Sequence, residues 1–595
     1  MIKISVVIIT FNEEKNIARC IDSLRLLGDE IVVVDSFSKD CTKRICLEKG
    51  VRFIEHLFEG HIQQKNFALS QATYDYVLSL DADEYLSEEL HKSILNAKQN
   101  WVGHAYRMNR LSSYGGKWIK HGNWYPDQKI RLWDRHMGSW GGENPHDKVL
   151  LKRGSKVVHL KGDLMHLAYQ DSAQTLSKIQ QYSSIFAKEN VSQKSSSILK
   201  IIGHTFFSFF KSYFIKIGFR DGFEGLMVAA AEANHVFYKY SKLYEANQRS
   251  SIGERIIISR TDNLGDVILT LPMAGYLKSV FPKAQIYFIG KKYTEAVIKQ
   301  SVYVDHFLDR EEILKNPSIL SSVHASTILF IYPDNQLAQL AKKIKIPQRV
   351  ATAHRWFNWF YCNQLVDFSR LLSDLHESQL NFKLLKPFRL NSNLDLAEIS
   401  TYYGLQAKAM DFSNLLRPKM FNLIIHPKSK GSAREWGLEN FAKLIEELPA
   451  NYFNIFITGL KEEGELMRKE MPSIFKAVNV TDLTGKLSLS ELVSFVSSVD
   501  GLLAGSTGVL HLAAALGINS LGLYSPMRPI HPGRWKPIGL HTSFLVLDKN
   551  CSDCKRKAEC ACIKSITVKQ VANELTLALN KAETSFEELV PARQA

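Results

Sequence analysis

The chain has 595 residues, 45% of them apolar, 23% charged and 11% aromatic, a composition that excludes a disordered chain, a collagen-like repeat and a disulfide scaffold. At roughly 150 residues per domain, the length calls for about four compact units, each able to bury a core, and excludes a single small binding module. Lys and Arg number 75 against 60 Asp and Glu, a formal charge of +15, which favours an anionic partner: nucleotide phosphates, nucleic acid or anionic lipid.

Met1 leads straight into the strand-like run ISVVIIT, without a Lys/Arg-led apolar leader, so a cytoplasmic protein is expected. The first 90 residues alternate β-branched runs with helical patterns: SVVIIT, a helix over 14–27, EIVVVD, a helix past Cys41, VRFIE, another helix, then YVLSLD. Such alternation predicts a parallel sheet with right-handed crossovers, whose ligands bind beyond the carboxyl ends of the strands. Residues 101–170, rich in Gly, Trp, His and Tyr with little helical period, read as a loop-rich acceptor side, and residues 173–244 as helical. Within them ILKIIGHTFFSFFKSYFIKIGF (198–219) is the most apolar run, but Lys200, Lys211 and Lys216 interrupt it. It is too charged to span a bilayer, and either lies on a membrane surface or packs in a core.

The polar stretch EANQRSSIGE (245–254) reads as a boundary. Beyond it, RIIIS opens a second alternating pattern through QIYFIG, TILFIY and RVATA, and NLIIHP opens a third through NIFITG, GLLAG and SLGLYS. The expected organisation is one α/β domain over 1–247, including a helical extension over about 173–245, and a two-lobed α/β domain over 253–582, with lobes 253–415 and 416–582.

Asp81 and Asp83 follow the strand YVLSL with one residue between them, a pair suited to Mg²⁺ or Mn²⁺ whose other positions take diphosphate oxygens. Asp35 ends a second strand, and Asn12 and Glu13 follow the first; these groups suit a uracil or ribose, or else cap their helices. Taken with VVIITFNEEKNIARCIDSL, EIVVVDSFSKD, QQKNFALSQATYDYVLSLDADEYLS, KWIKHGNWYPDQKIRLW and KIGFRDGFEGL, this half resembles glycosyltransferase family 2, and within it the branch that adds β-glucose to the lipopolysaccharide inner core. The resemblance implies a GT-A fold, inverting transfer from UDP-glucose and a divalent cation at Asp81 and Asp83. It places the base in GGENPHDKV, where Asp147 stands in place of the usual Glu, with Glu143 as the competitor. Lys65, Asn66 and Arg131 are further candidates to face the nucleotide or the diphosphate.

In the second half, RIIISRTDNLGDVILTLP places Asn263 to Asp266 at a helix N-terminus, where Asp266 suits a capping carboxylate, a general base, or both. GSTGVLHLAAALG puts the N–H groups of Ser506, Thr507 and Gly508 at the start of an apolar helix, aimed at a diphosphate, with His511 one turn in. Lys428, Lys430 and Arg434 in HPKSKGSAREW add cations. These segments in this order resemble glycosyltransferase family 9, the ADP-heptose:lipopolysaccharide heptosyltransferases of GT-B fold. The resemblance implies Asp266 as base and Thr507, Gly508 and His511 as the diphosphate cradle, with no metal required; Arg434 and Ser506 stand where the family often has Lys and Asp.

Cys551, Cys554, Cys560 and Cys562 have a CxxC-x5-CxC spacing that suits a structural zinc, or are simply reduced thiols. The expectation is therefore a bifunctional inverting glycosyltransferase using a UDP-sugar and an ADP- or other NDP-sugar on a lipid-A-linked core acceptor, peripheral on the cytoplasmic face of an anionic membrane. One alternative keeps a single active half, with the other as an acceptor platform. A nucleic-acid-binding protein finds no reading motif, and no nucleic-acid partner is expected.

Overall fold

The computed structural model describes residues 1–143, 146–370, 372–431, 433–547 and 560–589, without the side chains of Glu143, His146 and 582–589. The chain forms two compact units, Met1–Asn247 and Gln248–Ala595.

In the first unit, apolar runs make the parallel strands β1 (Ile4–Thr10), β2 (Glu30–Asp35), β3 (Arg52–Glu55) and β4 (Tyr76–Asp81), with β1, β2 and β4 largely buried on both faces and β3 at the sheet edge. They are joined by β5 (Glu84–Leu86), β6 (Ala105–Tyr114), β7 (Lys117–Trp118), β8 (Asp127–Asp134) and β11 (Val157–Tyr169), while β9 (Gly138–Glu143) and β10 (His146–Leu151) form a separate hairpin. The sheet runs β3-β2-β1-β4-β8-β6-β11-β5, with β7 paired to β6. Strand order reverses beside β1, which opens a crevice at the carboxyl ends of β1, β2 and β4.

Two sequence expectations are corrected here. The region 101–170 is mostly strand, because residues turned toward the crevice, such as Lys129 and Arg131 on β8, break the apolar alternation that would have announced it. The helix expected over 14–27 is confined to Ile17–Asp22, since Glu13 and Asn16 are bound to each other in a turn at the end of β1 (Asn16 Nδ2 donates to Glu13 Oε2, 2.7 Å).

The helical extension comprises Ser172–Asn190, Ile198–Phe210 followed by a wider turn over Lys211–Ile215, and Gly222–Ser250, which carries helix through the polar stretch read as a boundary. Helix Ile198–Phe210 does not pack in a core: Ile201 is its one buried side chain, while Leu199 is 84% and Phe206 69% exposed. Among the described residues no helix is long and apolar enough to cross a membrane.

The second unit has two sheets, each fully parallel. The first contains β12 (Arg255–Ser259), β13 (Gln285–Gly290), β14 (His306–Asp309), β15 (Thr327–Phe330), β16 (Gln348–Thr352) and β17 (Gln364–Val366), in the order β14-β13-β12-β15-β16-β17. The second contains β18 (Phe421–His426), β19 (Phe453–Ile457), β20 (Val480–Asp482), β21 (Gly501–Gly505), β22 (Asn519–Tyr524) and β23 (Thr542–Val546), in the order β20-β19-β18-β21-β22-β23. Both follow the doubly wound 3-2-1-4-5-6 order, and this pair of Rossmann-like lobes is the GT-B architecture.

Gly162 marks where β11 shifts register against β6 and passes the start of helix Glu88–Gln99, whose Leu90 N–H is capped by Ser87 Oγ at 3.2 Å. Its φ is +88°, and a Cβ there would lie 2.3 Å from Leu90 N. Gly162→Ala is expected to destabilise the first unit by about 1–3 kcal/mol beyond Gly154→Ala, because Gly154 has φ +84° but open space around it. Guanidinium unfolding followed by circular dichroism checks the difference, and equal midpoints would remove the steric argument.

Candidate active sites

In the first unit the crevice is organised by buried charge. Asp81, at the end of β4, meets Lys65 Nζ at 3.0 Å and Arg131 Nη2 at 3.1 Å. Lys65 Nζ, buried over the Trp140 ring at 4.4 Å, also binds Asp147 Oδ2 at 2.8 Å, and Arg131 Nη2 reaches Glu84 Oε1 at 2.7 Å. Burial alone would raise the Asp81 pKa, but Lys65 and Arg131 outweigh it and hold the carboxyl well below its usual range. Burial likewise opposes ionisation of Asp83, and His166 reverses it: His166 Nε2 stands 3.4 Å from Asp83 Oδ2, with Ser112 Oγ 2.9 Å from its other ring nitrogen. The Tyr182 hydroxyl, on helix Ser172–Asn190, is pushed up by burial and by the charges of Asp83, Asp147 and Asp81.

The residues expected to hold the base and ribose serve first as architecture. Asp35 accepts from Ser38 N at 2.7 Å and from Ser38 Oγ at 2.5 Å. Asn12, at φ +52°, donates its N–H to Ser38 Oγ at 2.7 Å and accepts from Lys39 N at 2.8 Å, lacing the ends of β1 and β2 together. Glu13 is held by Asn16, and burial raises its pKa. Asn66 pairs with the Trp140 backbone in both directions, at 2.9 and 3.0 Å, and so anchors the β9–β10 hairpin. Asn144 and Pro145, together with the Glu143 side chain, lie outside the described residues.

In the second unit a cavity of about 890 Å³ lies between the lobes, lined by Asn263–Asp266, Lys430, Ser506–Gly508 and His511 among others. Helices Leu264–Ile268 and Gly508–Ala515 meet here at their N-termini. A Cβ on Gly508 would stand 3.1 Å from Gly265 N, and one on Gly265 would stand 3.0 Å from His511 Cδ2, so a side chain at either position would crowd the close approach. Thr507 Oγ1 and His511 Nδ1 are buried with no hydrogen-bond partner among the described residues, a cost that a bound ligand would remove. Burial, aided by His376, lowers the His511 pKa to about 3, so the imidazole is neutral. Ser506 lies within reach of the Tyr524 hydroxyl, and Arg434 sits at the edge of the same basic loop. Lys428 does not face the cavity; it pairs with Glu435 at 3.1 Å, and Lys430 lines the cavity instead.

Asp266 is bound by Arg260, whose guanidinium also meets Asp262 at 2.7 Å and Glu377 at 3.0 Å. Burial, with Asp262 and Glu377 nearby, raises the Asp266 carboxyl to about 6 in spite of Arg260. Glu377 also binds Arg370 and, at 2.9 Å, Arg534 from the other lobe. Burial works against this carboxylate, and the three guanidiniums hold it ionised.

Cys551 and Cys554 lie outside the described residues. Cys560 and Cys562 are buried in an apolar cluster with Trp436 and Ile563, with Cys560 Sγ 3.2 Å from Ser525 Oγ. Among the described residues no group of three or more metal-ligating side chains occurs.

Sequence reasoning missed His166, Glu84 and Trp140 in the first unit, and Arg260, Glu377, Arg370 and Arg534 in the second. Glu84 directly after Asp83, and Arg260 at the end of RIIIS, were the available signals: charged residues where a buried strand stops.

Carboxylates gathered at the carboxyl ends of parallel strands, and beside helix N-termini with unmet polar groups, define an enzyme that handles nucleotide-linked substrates. The chain belongs to the glycosyltransferases. The family model Glycosyl transferase family 2 matches residues 5–150, and Glycosyltransferase family 9 (heptosyltransferase) matches 337–563. The chain is 34% identical over 262 residues, 42% of its length, to an uncharacterized glycosyltransferase of Rickettsia typhi, 89% of which is covered. It is 29% identical over 251 residues (41% of this chain, 92% of the relative) to the lipopolysaccharide core biosynthesis glycosyltransferase LpsC of Rhizobium meliloti. It is 27% identical over 136 residues (23% of this chain, 38% of the relative) to the lipopolysaccharide core heptosyltransferase OpsX of Haemophilus influenzae.

Glu377→Gln removes the charge that three buried guanidiniums share. It is expected to destabilise the second unit by about 3–5 kcal/mol, because uncompensated buried cations remain. Thermal unfolding of the whole chain should show a lowered second-unit transition, and a loss under about 1 kcal/mol would mean the arginines find other partners.

Proposed function

We propose that the chain is a bifunctional inverting glycosyltransferase of lipopolysaccharide inner-core assembly, whose first unit transfers glucose from UDP-glucose and whose second transfers heptose or a related sugar from an ADP- or other NDP-sugar. The observation that carries this reading is the presence of two separate clefts, each with its own half-buried carboxylate held by a buried cation: Asp147 on Lys65, and Asp266 on Arg260. The names borne by LpsC and OpsX support a lipid-A-linked core acceptor.

In the first unit Asp147 takes the proton of the acceptor hydroxyl, and Lys65 fixes its orientation while tying it to Asp81. The carboxylate of Asp83 and the ring nitrogen of His166, 3.4 Å apart, are a donor set that fits one divalent cation, whereas Asp81 already faces two cations of the chain. When bound, Mg²⁺ or Mn²⁺ supplies positive charge against the donor diphosphate. Asp35, Asn12 and Glu13 form the floor on which the base and ribose would rest.

In the second unit Asp266 is the base. The helix N-terminus at Ser506, Thr507 and Gly508, the neutral His511, and Lys430 with Arg434 hold the diphosphate as it leaves. Both units would work at an anionic bilayer on its cytoplasmic face. The first would dock through the exposed apolar side chains of 198–223, which are accompanied by Lys200, Lys211 and Lys216.

Donor hydrolysis and transfer with a panel of UDP- and ADP-sugars, with and without Mn²⁺, tests the reading. Asp83→Ala should abolish a metal-dependent activity and spare a metal-independent one, and Asp266→Ala should do the reverse. If Asp266→Ala leaves every transfer unchanged, the second unit is an acceptor platform instead.

The pH dependence follows from the Asp266 environment. A base raised to about 6 is protonated, and idle, below that value, so kcat/KM of the second activity should fall about tenfold per pH unit below about pH 6 and be flat above it. Asp266→Asn should remove that limb along with about 10²–10⁴-fold of the rate.

A further inference from the structure

Away from both clefts, the first lobe of the second unit carries an aromatic platform. After β16 the chain reads AHRWFNWFY, and Trp356, Trp359 and Phe360 are 71%, 65% and 63% exposed. These rings are not on a loose loop. Asn358 is fully buried and donates Nδ2 to Thr352 O at 2.8 Å, and Trp359 donates Nε1 to Ala353 O at 2.8 Å. Lys342 Nζ and Arg349 Nε hold the carbonyls of Phe360 and Tyr361, each at 2.8 Å. Trp356 packs edge-on against Phe360, with centroids 6.1 Å apart. The segment is thus anchored inward while its apolar rings are fixed outward, a placement that costs free energy in water unless something covers them.

The surroundings say what covers them. From Asn335 to Val366 the sequence has five Lys and Arg and no Asp or Glu. Lys343, Lys345 and Arg355 are exposed, and the nearest acid, Asp367, is paired with His354 at 2.9 Å. Rigid tryptophans beside exposed cations suit the headgroup region of an anionic bilayer, where indole rings settle and each lysine or arginine gains about 1 kcal/mol.

Position agrees with this. β16 is parallel to β15, which is parallel to β12, so the platform leaves the sheet at the same carboxyl edge as the Asp266 loop, two strands or about 10 Å along.

We propose that Trp356, Trp359 and Phe360, with Lys343, Lys345 and Arg355, form a second membrane-docking surface, which seats the second unit's cleft at an anionic bilayer independently of the helical extension. This goes beyond the proposed reaction and does not depend on which sugars are transferred.

Co-sedimentation of the full chain with vesicles of phosphatidylethanolamine and phosphatidylglycerol, and with vesicles of phosphatidylcholine alone, tests it. The variants are Trp356→Ser with Phe360→Ser, which keep the Trp359 and Asn358 anchors, and Lys343→Gln with Lys345→Gln. Each is made in the native chain and in a Phe206→Ser, Phe207→Ser background that disables the helical extension. In that background the aromatic pair should weaken binding to anionic vesicles by about tenfold and the lysine pair by several-fold, with soluble donor hydrolysis unchanged. Unchanged vesicle binding in both backgrounds would overturn the proposal. So would equal binding to phosphatidylcholine vesicles, or a shift in oligomeric state in place of lipid binding. Donor hydrolysis is read without vesicles, so loss of docking with hydrolysis intact sinks this surface alone, and loss of hydrolysis in the native chain sinks the proposed function alone.

Discussion

A carboxylate withdrawn from water must be met by a cation or give up its charge, and both units are arranged around that constraint. In the first, Lys65 bridges Asp81 and Asp147 over the face of Trp140, and Arg131 extends the chain of charges to Glu84. In the second, Arg260 is shared by Asp262, Asp266 and Glu377. Asp81 ends β4 and Arg260 directly follows β12, so in each unit the charge cluster gathers at the carboxyl end of a buried strand.

The two clusters are tuned in opposite directions. Two cations around Asp81 hold it ionised. Asp266 keeps one guanidinium but two acidic neighbours, and sits near the proton affinity at which a group can both accept and release a proton at neutral pH. The same side chain is therefore held in different charge states according to how many cations and acids share its pocket.

Much of this was legible in the sequence, and the misses share one cause. The β-branched runs gave β1 to β4 and both parallel sheets of the second unit, because strands buried on both faces must be apolar throughout. The glycines of GSTG gave the helix start at Gly508. Strands β6 to β11 were unreadable, since they combine a covered face with side chains aimed at the crevice, and Arg131 on β8 is simultaneously a strand residue and a site residue. His166, Glu377 and Arg534 were invisible for a different reason: each acquires its meaning from a partner 83, 117 or 157 residues away (Asp83, Arg260 and Glu377), and spacing along a chain carries no information about such a meeting. Lys428 and Lys430 show the limit at its finest. Two residues apart in one basic loop, they point to Glu435 and to the cavity respectively, and only the backbone turn at Lys430, φ +48°, decides which.

The Arg534–Glu377 contact joins the two lobes at a point that is almost dry. Pulling the lobes straight apart would strand a guanidinium and a carboxylate in a low-dielectric interior, an expensive separation, whereas rotation about this contact leaves the pair intact. The cleft is thereby given a pivot. Any swing of the lobes that keeps this pair turns about an axis near Glu377, and Asp266, linked to Glu377 through Arg260, lies close to that axis.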